Sequence, residues 1–414
     1  MDPGTSLQNN QPPLVLVCPL DWGLGHASRS VPLIRAFLGA GARVIVAADG
    51  DALDFLRQCF PDGVGFRVLP GKPVVYPRNT KRLSLVVKLI RQLPGLLGSV
   101  KREHTHLQKL IRETGARFVV SDNRYGLYSD LATCVFLGHQ VHLRAPGGLR
   151  WAEWLVNELN YWLISRFRYC WVPDFAGPDN LSGELSHRST GRKPRILKNL
   201  RYIGPLSRFA GLSANETSPL PDGFPPSFYL VMLSGPEPQR SLLEGELNRQ
   251  FATLDQAVVV LRGVVGEGGA SQRKNEVLSD VRRLSDMRRL SDVRRLHASP
   301  PIIRFDHLGD GPMDWLIRHA RLVICRPGYS TLMDLAVFGK KALVIPTPGQ
   351  TEQEYLGQRM KEMGWVCCVS QSGISLAAQV EKAERLSGIP RHAGSEKMLQ
   401  ELVRALLWGS EPVQ

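Results

Sequence analysis

The first residues that could perform chemistry lie in the segment LDWGLGHASRS at 20–30. Gly23 and Gly25 follow an apolar run, and His26 comes directly after the second glycine. Glycines let a substrate approach the main chain closely, and an imidazole can take a proton from a hydroxyl group near neutral pH. Two other interpretations stay open: a dinucleotide-binding turn with Ser28 in place of the third glycine, and a tight turn with only a structural role.

A general base needs a group that orients it, and Asp122 is the candidate. It follows the apolar run RFVVS at 117–121. If this strand is a neighbour of the one at 14–18, Asp122 lies close enough to His26 to select the tautomer of the ring. An equally weighted alternative is that Asp122 caps a helix predicted at about 126–132.

Two further histidines follow the apolar run TCVFLG at 133–138. His139 is expected to contact the acceptor substrate, together with Gly23 and Gly25. His142 is expected to be a core histidine whose hydrogen bonds are satisfied internally.

The second half contains the segment VICRPGYSTLMD at 323–334. A buried strand ends at Cys325, a tight turn follows at Arg326, and a helix begins near Gly328. A helix N-terminus concentrates amide groups and the positive end of the dipole, which suits a diphosphate. Asp334 lies one turn further, on the face of Ser330, where it can accept hydrogen bonds from ribose hydroxyls.

The following strand ends in PTPGQTEQEY at 346–355. Gln350, Glu352, Gln353 and Glu354 place donors and acceptors in one loop, which suits a polyol better than an apolar ligand. An ordinary surface loop followed by a polar helix start explains the segment equally well.

Alternating strands and helices position all these residues. Apolar runs such as LVLVC (14–18) and RVIVAA (43–48) alternate with helical segments, and the same rhythm restarts at FYLVML (228–233). This pattern predicts an α/β protein with two tandem Rossmann-like domains facing a cleft. The predicted parts are a first domain at 1–205, a linker at 206–226, a second domain at 227–390 with a surface insertion at 262–299, and a C-terminal helix within 391–414 that crosses back to the first domain.

Composition narrows the class of protein. The 414 residues are 43% hydrophobic and 22% charged, which is typical of a globular protein. The start lacks the features of a signal peptide and no apolar run is long enough to span a bilayer, so a cytoplasmic protein is expected. The seven cysteines show no metal-binding spacing, and neither disulfides nor structural zinc are expected.

The formal net charge of +14 predicts an anionic partner. Part of it comes from the repeat LSDVRR-LSDMRR-LSDVRR at 278–295, interpreted as a duplication within a surface insertion rather than a nucleic-acid interface. The apolar and basic segment 81–102, expected to form two short helices around its proline, contacts an anionic membrane or the acceptor in one interpretation and belongs to the core in the other. For Trp151, Trp154, Trp162 and Trp171, core packing is the favoured interpretation.

The motif RPGYSTLMDLAVFGKKALVIPTPGQTEQEYLG at 326–357 resembles the donor-binding region of family 28 glycosyltransferases. The glycine turn ending in His26, GHQ at 138–140 and IGPL at 203–206 are similar to the first half of that family. The resemblance covers most of the chain except about 262–299, and it extends to a bacterial subgroup of predicted glycosyltransferases.

The resemblance implies a GT-B fold and assigns further residues to the donor. It makes Asp334 the ribose-binding acid and places Leu308 at the uracil. The residues assigned to the diphosphate or the sugar are Ser234, Gly235, Arg240, Arg326, Gly328, Ser330, Thr331, Gln350, Gln353 and Glu354. Two departures stand out: Asp21-Trp22 replaces part of the family's glycine-rich first loop, and Asp334 is shorter than the usual glutamate.

The expected activity is an inverting, metal-independent transfer of a sugar from a UDP-sugar to a hydroxyl acceptor, lipid-linked acceptors included, with no cofactor. His26 is expected to act as the base and Asp122 as its partner. If the segment 81–102 contacts lipid, a peripheral location on the inner membrane is expected. A nucleotide-sugar hydrolase or epimerase is the alternative within the fold, and a nucleic-acid-binding protein is the alternative outside it.

Overall fold

The computed structural model describes residues 11–21, 23–70, 82–144, 153–187, 199–212, 219–220, 224–263, 300–391 and 394–409. The arginine-rich repeat at 278–295, Trp22, Trp151 and parts of the predicted linker lie outside the described residues. Two compact units are present: Met1–Arg208 together with Gly394–Gln414, and Phe209–Ala393. All seven cysteines are free thiols. Among the described helices, none has the length and hydropathy needed to cross a membrane.

The first unit is built on a parallel sheet. Its strands are β1 Leu14–Cys18, β2 Arg43–Ala48, β3 Val64–Val68, β4 Phe118–Asp122, β5 Thr133–Leu137, β6 Tyr169–Val172 and β7 Leu200–Tyr202. They lie in the order β3-β2-β1-β4-β5-β6-β7. The helices are α1 Leu24–Gly39, α2 Gly50–Cys59, α3 Arg82–Thr114 and α4 Glu153–Ile164, with a short 3-10 turn at Gly183–Leu185. All five residues of β1 are buried, as expected for a central strand covered on both faces.

The second unit repeats this plan. Its strands are β8 Phe228–Met232, β9 Ala257–Leu261, β10 Ile302–Phe305, β11 Leu322–Cys325, β12 Ala342–Val344 and β13 Cys367–Cys368. They form a parallel sheet in the order β10-β9-β8-β11-β12-β13. The helices are α5 Gln239–Asn248, α6 Asp310–His319, α7 Tyr329–Phe338, α8 Thr351–Glu362 and α9 Leu376–Glu384, with a 3-10 turn at Phe251–Thr253.

The last helix, α10 Ser395–Trp408, belongs to the first unit. Its buried face consists of Leu399, Val403 and Leu407. It packs against α1, and the indole of Trp408 donates a hydrogen bond to the carbonyl oxygen of Ala40 (3.3 Å). The polypeptide therefore returns to its first unit after completing the second.

In both sheets the strand order reverses at one position. This reversal determines which strand ends, and therefore which side chains, lie next to each other. In the first sheet the reversal lies between β1 and β4, and in the second it lies between β8 and β11. Ligands of open α/β sheets bind at the carboxyl ends of the strands beside such a switch point. The α/β fold class predicted from the sequence is confirmed.

Two local predictions are wrong, and one edge strand is not indicated by the sequence. No helix forms at 126–132, which is a loop. Residues 82–102, expected to form two short helices around their proline, lie within one helix, α3, because a single proline interrupts only one hydrogen bond of a long helix. Strand β3 was not predicted, because VGFRV at the sheet edge is half-buried to exposed and lacks a continuous apolar run.

The tryptophans of the first unit differ in burial. Trp171, in β6, is buried, as core packing predicts. Trp154 and Trp162, on α4, are 67% and 47% exposed. Core packing is wrong for these two, because the buried side of α4 is formed by other residues, namely Asn157, Asn160, Tyr161, Leu163 and Ile164.

Candidate functional site

His26 and Asp122 meet because β1 and β4 are neighbouring parallel strands. Cys18, the last residue of β1, lies beside Ser121, so both strands end at the same level. Asp122 is the last residue of β4, and His26 lies in the first turn of α1. The turn between β1 and α1 requires Gly23, whose φ of 74° lies in the left-handed region.

The two side chains form a cluster with Arg29. The Nδ1 atom of His26 lies 3.1 Å from Oδ2 of Asp122. Arg29 donates from Nε to the same oxygen (2.7 Å), and its Nη2 atom pairs with Oδ1 of Asp122. The Nη2 atom of Arg29 also lies 2.8 Å from Nδ1 of His26. Asp122 therefore orients His26 rather than capping a helix, since no helix follows it.

Nδ1 and Nε2 of His26 have different surroundings. Both charged neighbours, Asp122 and Arg29, lie at Nδ1. Nε2 has no hydrogen-bond partner in the part of the chain that the structure describes, and the ring is partly exposed. A neutral ring that donates from Nδ1 to Asp122 presents the lone pair of Nε2 to a substrate, which is the arrangement of a general base.

Sequence reasoning missed Arg29. Its spacing from His26 was the available signal, because residues three positions apart lie on the same face of a helix. The arginine is buried, and nothing in the sequence showed that a carboxylate from another strand would lie under it.

Burial and Arg29 lower the pKa of His26 below its ordinary value of 6.5, although Asp122 acts in the opposite direction. Burial alone would raise the pKa of Asp122, but Arg29 and His26 hold it well below its ordinary range. The cluster at neutral pH is therefore a carboxylate, a guanidinium and a neutral imidazole. Because the folded protein binds the His26 proton more weakly than the unfolded chain, this histidine's contribution to stability is present above pH 6.5 and is lost as the pH falls below it.

The other two histidines predicted to lie near this edge differ in their contacts. His139, just after β5, is buried, and its Nδ1 atom lies 3.4 Å from Nη1 of Arg29. His142 lies 2.9 Å from the hydroxyl of Tyr161 and 3.1 Å from a carboxylate oxygen of Glu153. His142 thus has the satisfied hydrogen bonds of a structural residue.

In the second unit, the predicted donor residues lie at the carboxyl edge of the sheet. Gly328 is the residue before the first turn of α7, and Ser330, Thr331 and Asp334 are half-buried on that helix. Ser234 and Gly235 are exposed after β8, the neighbour of β11. Gly235 has a φ of 103°, which side chains with a Cβ rarely adopt. The side chain of Leu308, after β10, is buried, which leaves recognition there to the main chain.

The sequence predicts a direct contact between the Arg326 side chain and a phosphate, but the buried position of this side chain does not allow one. The guanidinium is fully buried, and its Nη1 atom donates to the carbonyl oxygens of Ile345 and Pro346, both at 2.9 Å. Its Nη2 atom donates to the carbonyl oxygen of Gln239 (3.1 Å) and to Oε1 of Gln371 (2.6 Å). Arg326 joins the loops of this edge instead of lining its surface.

Two residues expected to read the donor sugar are engaged within their own loop. Gln353 is buried, and its Oε1 atom accepts from the amide of Thr347 (2.8 Å). Glu354 accepts from the amide of Gly349 (2.9 Å). These bonds shape the loop and occupy oxygens that a sugar would need, whereas Gln350 is exposed.

Arg240 is also engaged. It forms an ion pair with Glu237, three residues earlier, which neutralises part of the charge expected to face a phosphate. Within the described ranges, no group of three or more histidine, cysteine, aspartate or glutamate side chains is arranged to hold a metal ion.

Replacing Arg29 by methionine is expected to raise the pKa of His26, because the repelling cation disappears while the Asp122 carboxylate remains. NMR titration of the His26 ring protons measures this change. Arg29→Lys, which keeps the charge, serves as the control and should leave the pKa below 6.5. An unchanged pKa in Arg29→Met would show that burial alone sets it.

Comparisons with known proteins bear on the fold and on part of the second unit. Residues 302–397 match the glycosyltransferase family 28 C-terminal domain. No curated protein sequence matches significantly. The glycotransferase of kitacinnamycin is similar in structure with a TM-score of 0.59 and 14% identity, over 96% of this chain and 95% of that one.

Two other solved structures contain nucleotides. The glycosyltransferase VinC in complex with dTDP has a TM-score of 0.53 and 15% identity, over 95% of each chain. Arabidopsis thaliana UGT89C1, complexed with UDP-L-rhamnose, has a TM-score of 0.52 and 13% identity, over 96% of this chain and 94% of that one. At these identities the likeness concerns the fold. Residues 302–397 therefore resemble the C-terminal domain of family 28 glycosyltransferases, and the whole chain shares the GT-B fold of the solved glycosyltransferases.

Proposed function

We propose that this protein is a glycosyltransferase that moves a sugar from a UDP-sugar to a hydroxyl acceptor, with inversion at the anomeric carbon and without a metal ion. The observation that carries the proposal is the His26–Asp122–Arg29 cluster at the carboxyl edge of the first sheet. Its imidazole has a pKa below 6.5 and an Nε2 atom to which the described residues offer no hydrogen bond.

The second unit supports a nucleotide donor. Its family match includes the start of α7, where the helix dipole favours an anion such as a diphosphate. VinC was solved with dTDP and UGT89C1 with UDP-L-rhamnose, so proteins of this fold bind nucleotides and nucleotide sugars of this class. For this chain we assign Asp334 to the ribose, and Gly328, Ser330 and Thr331 to the diphosphate.

The proposed reaction is a single displacement. The acceptor oxygen forms a bond to the anomeric carbon while its proton passes to Nε2 of His26. The bond between that carbon and the β-phosphate oxygen breaks, and its electron pair leaves with UDP. Asp122 stabilises the imidazolium that forms, and the α7 dipole stabilises the charge that develops on the leaving diphosphate. Inversion requires the acceptor oxygen to attack the face of the sugar opposite the leaving group.

An acceptor held at an anionic membrane surface is part of the proposal. Helix α4 exposes Trp154, Leu155 and Trp162, and the guanidinium of Arg166 lies 3.8 Å from the ring centroid of Trp162. Aromatic side chains beside a cation are typical of surfaces that contact lipid headgroups.

His26→Ala is expected to lower turnover about 10²- to 10³-fold, because the acceptor then loses its general base. UDP affinity should not change, since His26 lies outside the unit assigned to the donor. UDP release from UDP-glucose or UDP-N-acetylglucosamine, with a panel of alcohols and phenols, measures turnover, and calorimetry measures UDP affinity. His106→Ala, an exposed histidine of the same unit, is the matched control. Normal turnover in His26→Ala would remove its role as the base.

Asp334→Ala is expected to weaken UDP binding about tenfold or more, because a carboxylate that accepts from ribose hydroxyls is lost. Thermal shift and calorimetry with UDP measure the effect. Glu381→Ala, which removes an exposed acid from α9 of the same unit, should bind UDP normally. If Asp334→Ala binds UDP as tightly as the wild type, the ribose assignment is contradicted. If the wild-type protein does not bind UDP, the proposed donor class is contradicted.

EDTA is expected to leave turnover unchanged, because the proposed mechanism stabilises the leaving diphosphate with the helix dipole instead of a cation. Turnover of enzyme dialysed against EDTA is compared with that of enzyme supplied with Mg²⁺ or Mn²⁺. A strict requirement for either ion would refute this part of the mechanism.

A further inference from the structure

The Arg326 guanidinium is a charge buried without a counter-ion. The side chain has no measurable exposure, and its hydrogen bonds go to three carbonyl oxygens and to the amide oxygen of Gln371. Its Nε atom is buried and has no hydrogen-bond partner among the described residues. Within those residues, no carboxylate lies at ion-pair distance from Arg326.

This lack of compensation is unusual for a buried cation. Buried charges are normally paired, because transfer from water is costly. Here burial lowers the pKa of Arg326 to about 10, so the group remains protonated at neutral pH. The side chain nearest to its Nη2 atom, Gln371, is a neutral amide where a glutamate of nearly the same shape would supply a counter-charge.

The position of this charge relates it to the anion assigned to the second unit. Arg326 directly follows β11, which borders the switch point of the sheet. Two residues later, Gly328 precedes the first turn of α7, so the guanidinium and the positive end of that helix belong to the same edge. A charge within a low-dielectric interior acts over longer distances than an exposed one, and salt screens it less.

We propose that Arg326 attracts the donor diphosphate through its field, without touching it, and that the neutral side chain of Gln371 keeps this field uncompensated. The inference rests on the proposed function, and it assigns to Arg326 a role that differs from direct phosphate binding. Arg326 holds together the segments that contain Gln239, Ile345 and Gln371, and its charge acts on the ligand from a distance. A glutamate at 371 would keep the hydrogen bond but cancel the charge.

Gln371→Glu is therefore the test, with Gln371→Met as the neutral control of similar size. Calorimetry with UDP and with UMP measures affinity. Gln371→Glu is expected to raise the Kd for UDP about tenfold and the Kd for UMP by a smaller factor, because UMP carries less charge. Gln371→Met should stay within about twofold of the wild type, since it loses a hydrogen bond but adds no charge.

The outcomes separate a field effect from a structural one. Equal losses in Gln371→Glu and Gln371→Met would overturn the inference, because the hydrogen bond and not the charge would then matter. Wild-type UDP affinity in Gln371→Glu would overturn it as well. Gln371 is half-buried on a loop, and a thermal melt verifies that each variant folds. If Gln371→Glu does not fold, Gln371→Asp repeats the comparison with a shorter carboxylate. Failure of the wild type to bind UDP would instead overturn the proposed function.

Discussion

The buried carboxylate of Asp122 is the constraint on which the first unit's site depends. A carboxylate in this position stays ionised only because Arg29 donates to both of its oxygens and His26 lies beside it. The pair therefore fixes where the imidazole can point, since Nδ1 is held between an anion and a cation. Arg29 has a second effect: its charge opposes protonation of the ring, so the histidine stays neutral and able to accept a proton. An Asp–His pair without such a cation would have a more basic imidazole.

The two units use arginine in opposite ways. Arg29 is compensated by a carboxylate, and the result is local: one side chain is oriented, and the pKa values of His26 and Asp122 are both lowered. Arg326 is surrounded by neutral oxygens, and its charge is not cancelled by the described residues around it. Both arginines lie beside the switch point of a parallel sheet, where strand ends and helix N-termini meet. In our proposal the same fold supplies a proton-accepting edge in one unit and an anion-attracting edge in the other.

The two halves of the chain resemble known proteins to different extents. The family match lies in residues 302–397, and the fold is shared with glycosyltransferases at identities of 13% to 15% in the three structures compared. Because one fold supports many substrates, these likenesses show the fold and identify neither a donor sugar nor an acceptor. The proposed acceptor side rests on side-chain geometry: a neutral imidazole, a carboxylate that orients it, and an exposed aromatic surface on α4.

The sequence by itself determined the fold class, because continuous apolar runs alternating with helices allow little other than parallel sheets. It also determined that His26 and Asp122 follow buried strands, which placed both at a sheet edge. It could not show that β1 and β4 are neighbours, so the choice between a helix cap and a partner for His26 required the strand order. The contacts of Arg29, Arg326 and Gln353 could be known only from the tertiary structure, for a related reason. The sequence does not distinguish a polar side chain that faces a substrate from one that contacts the main chain of another loop. Only the folded structure shows which of these side chains already form hydrogen bonds within the protein.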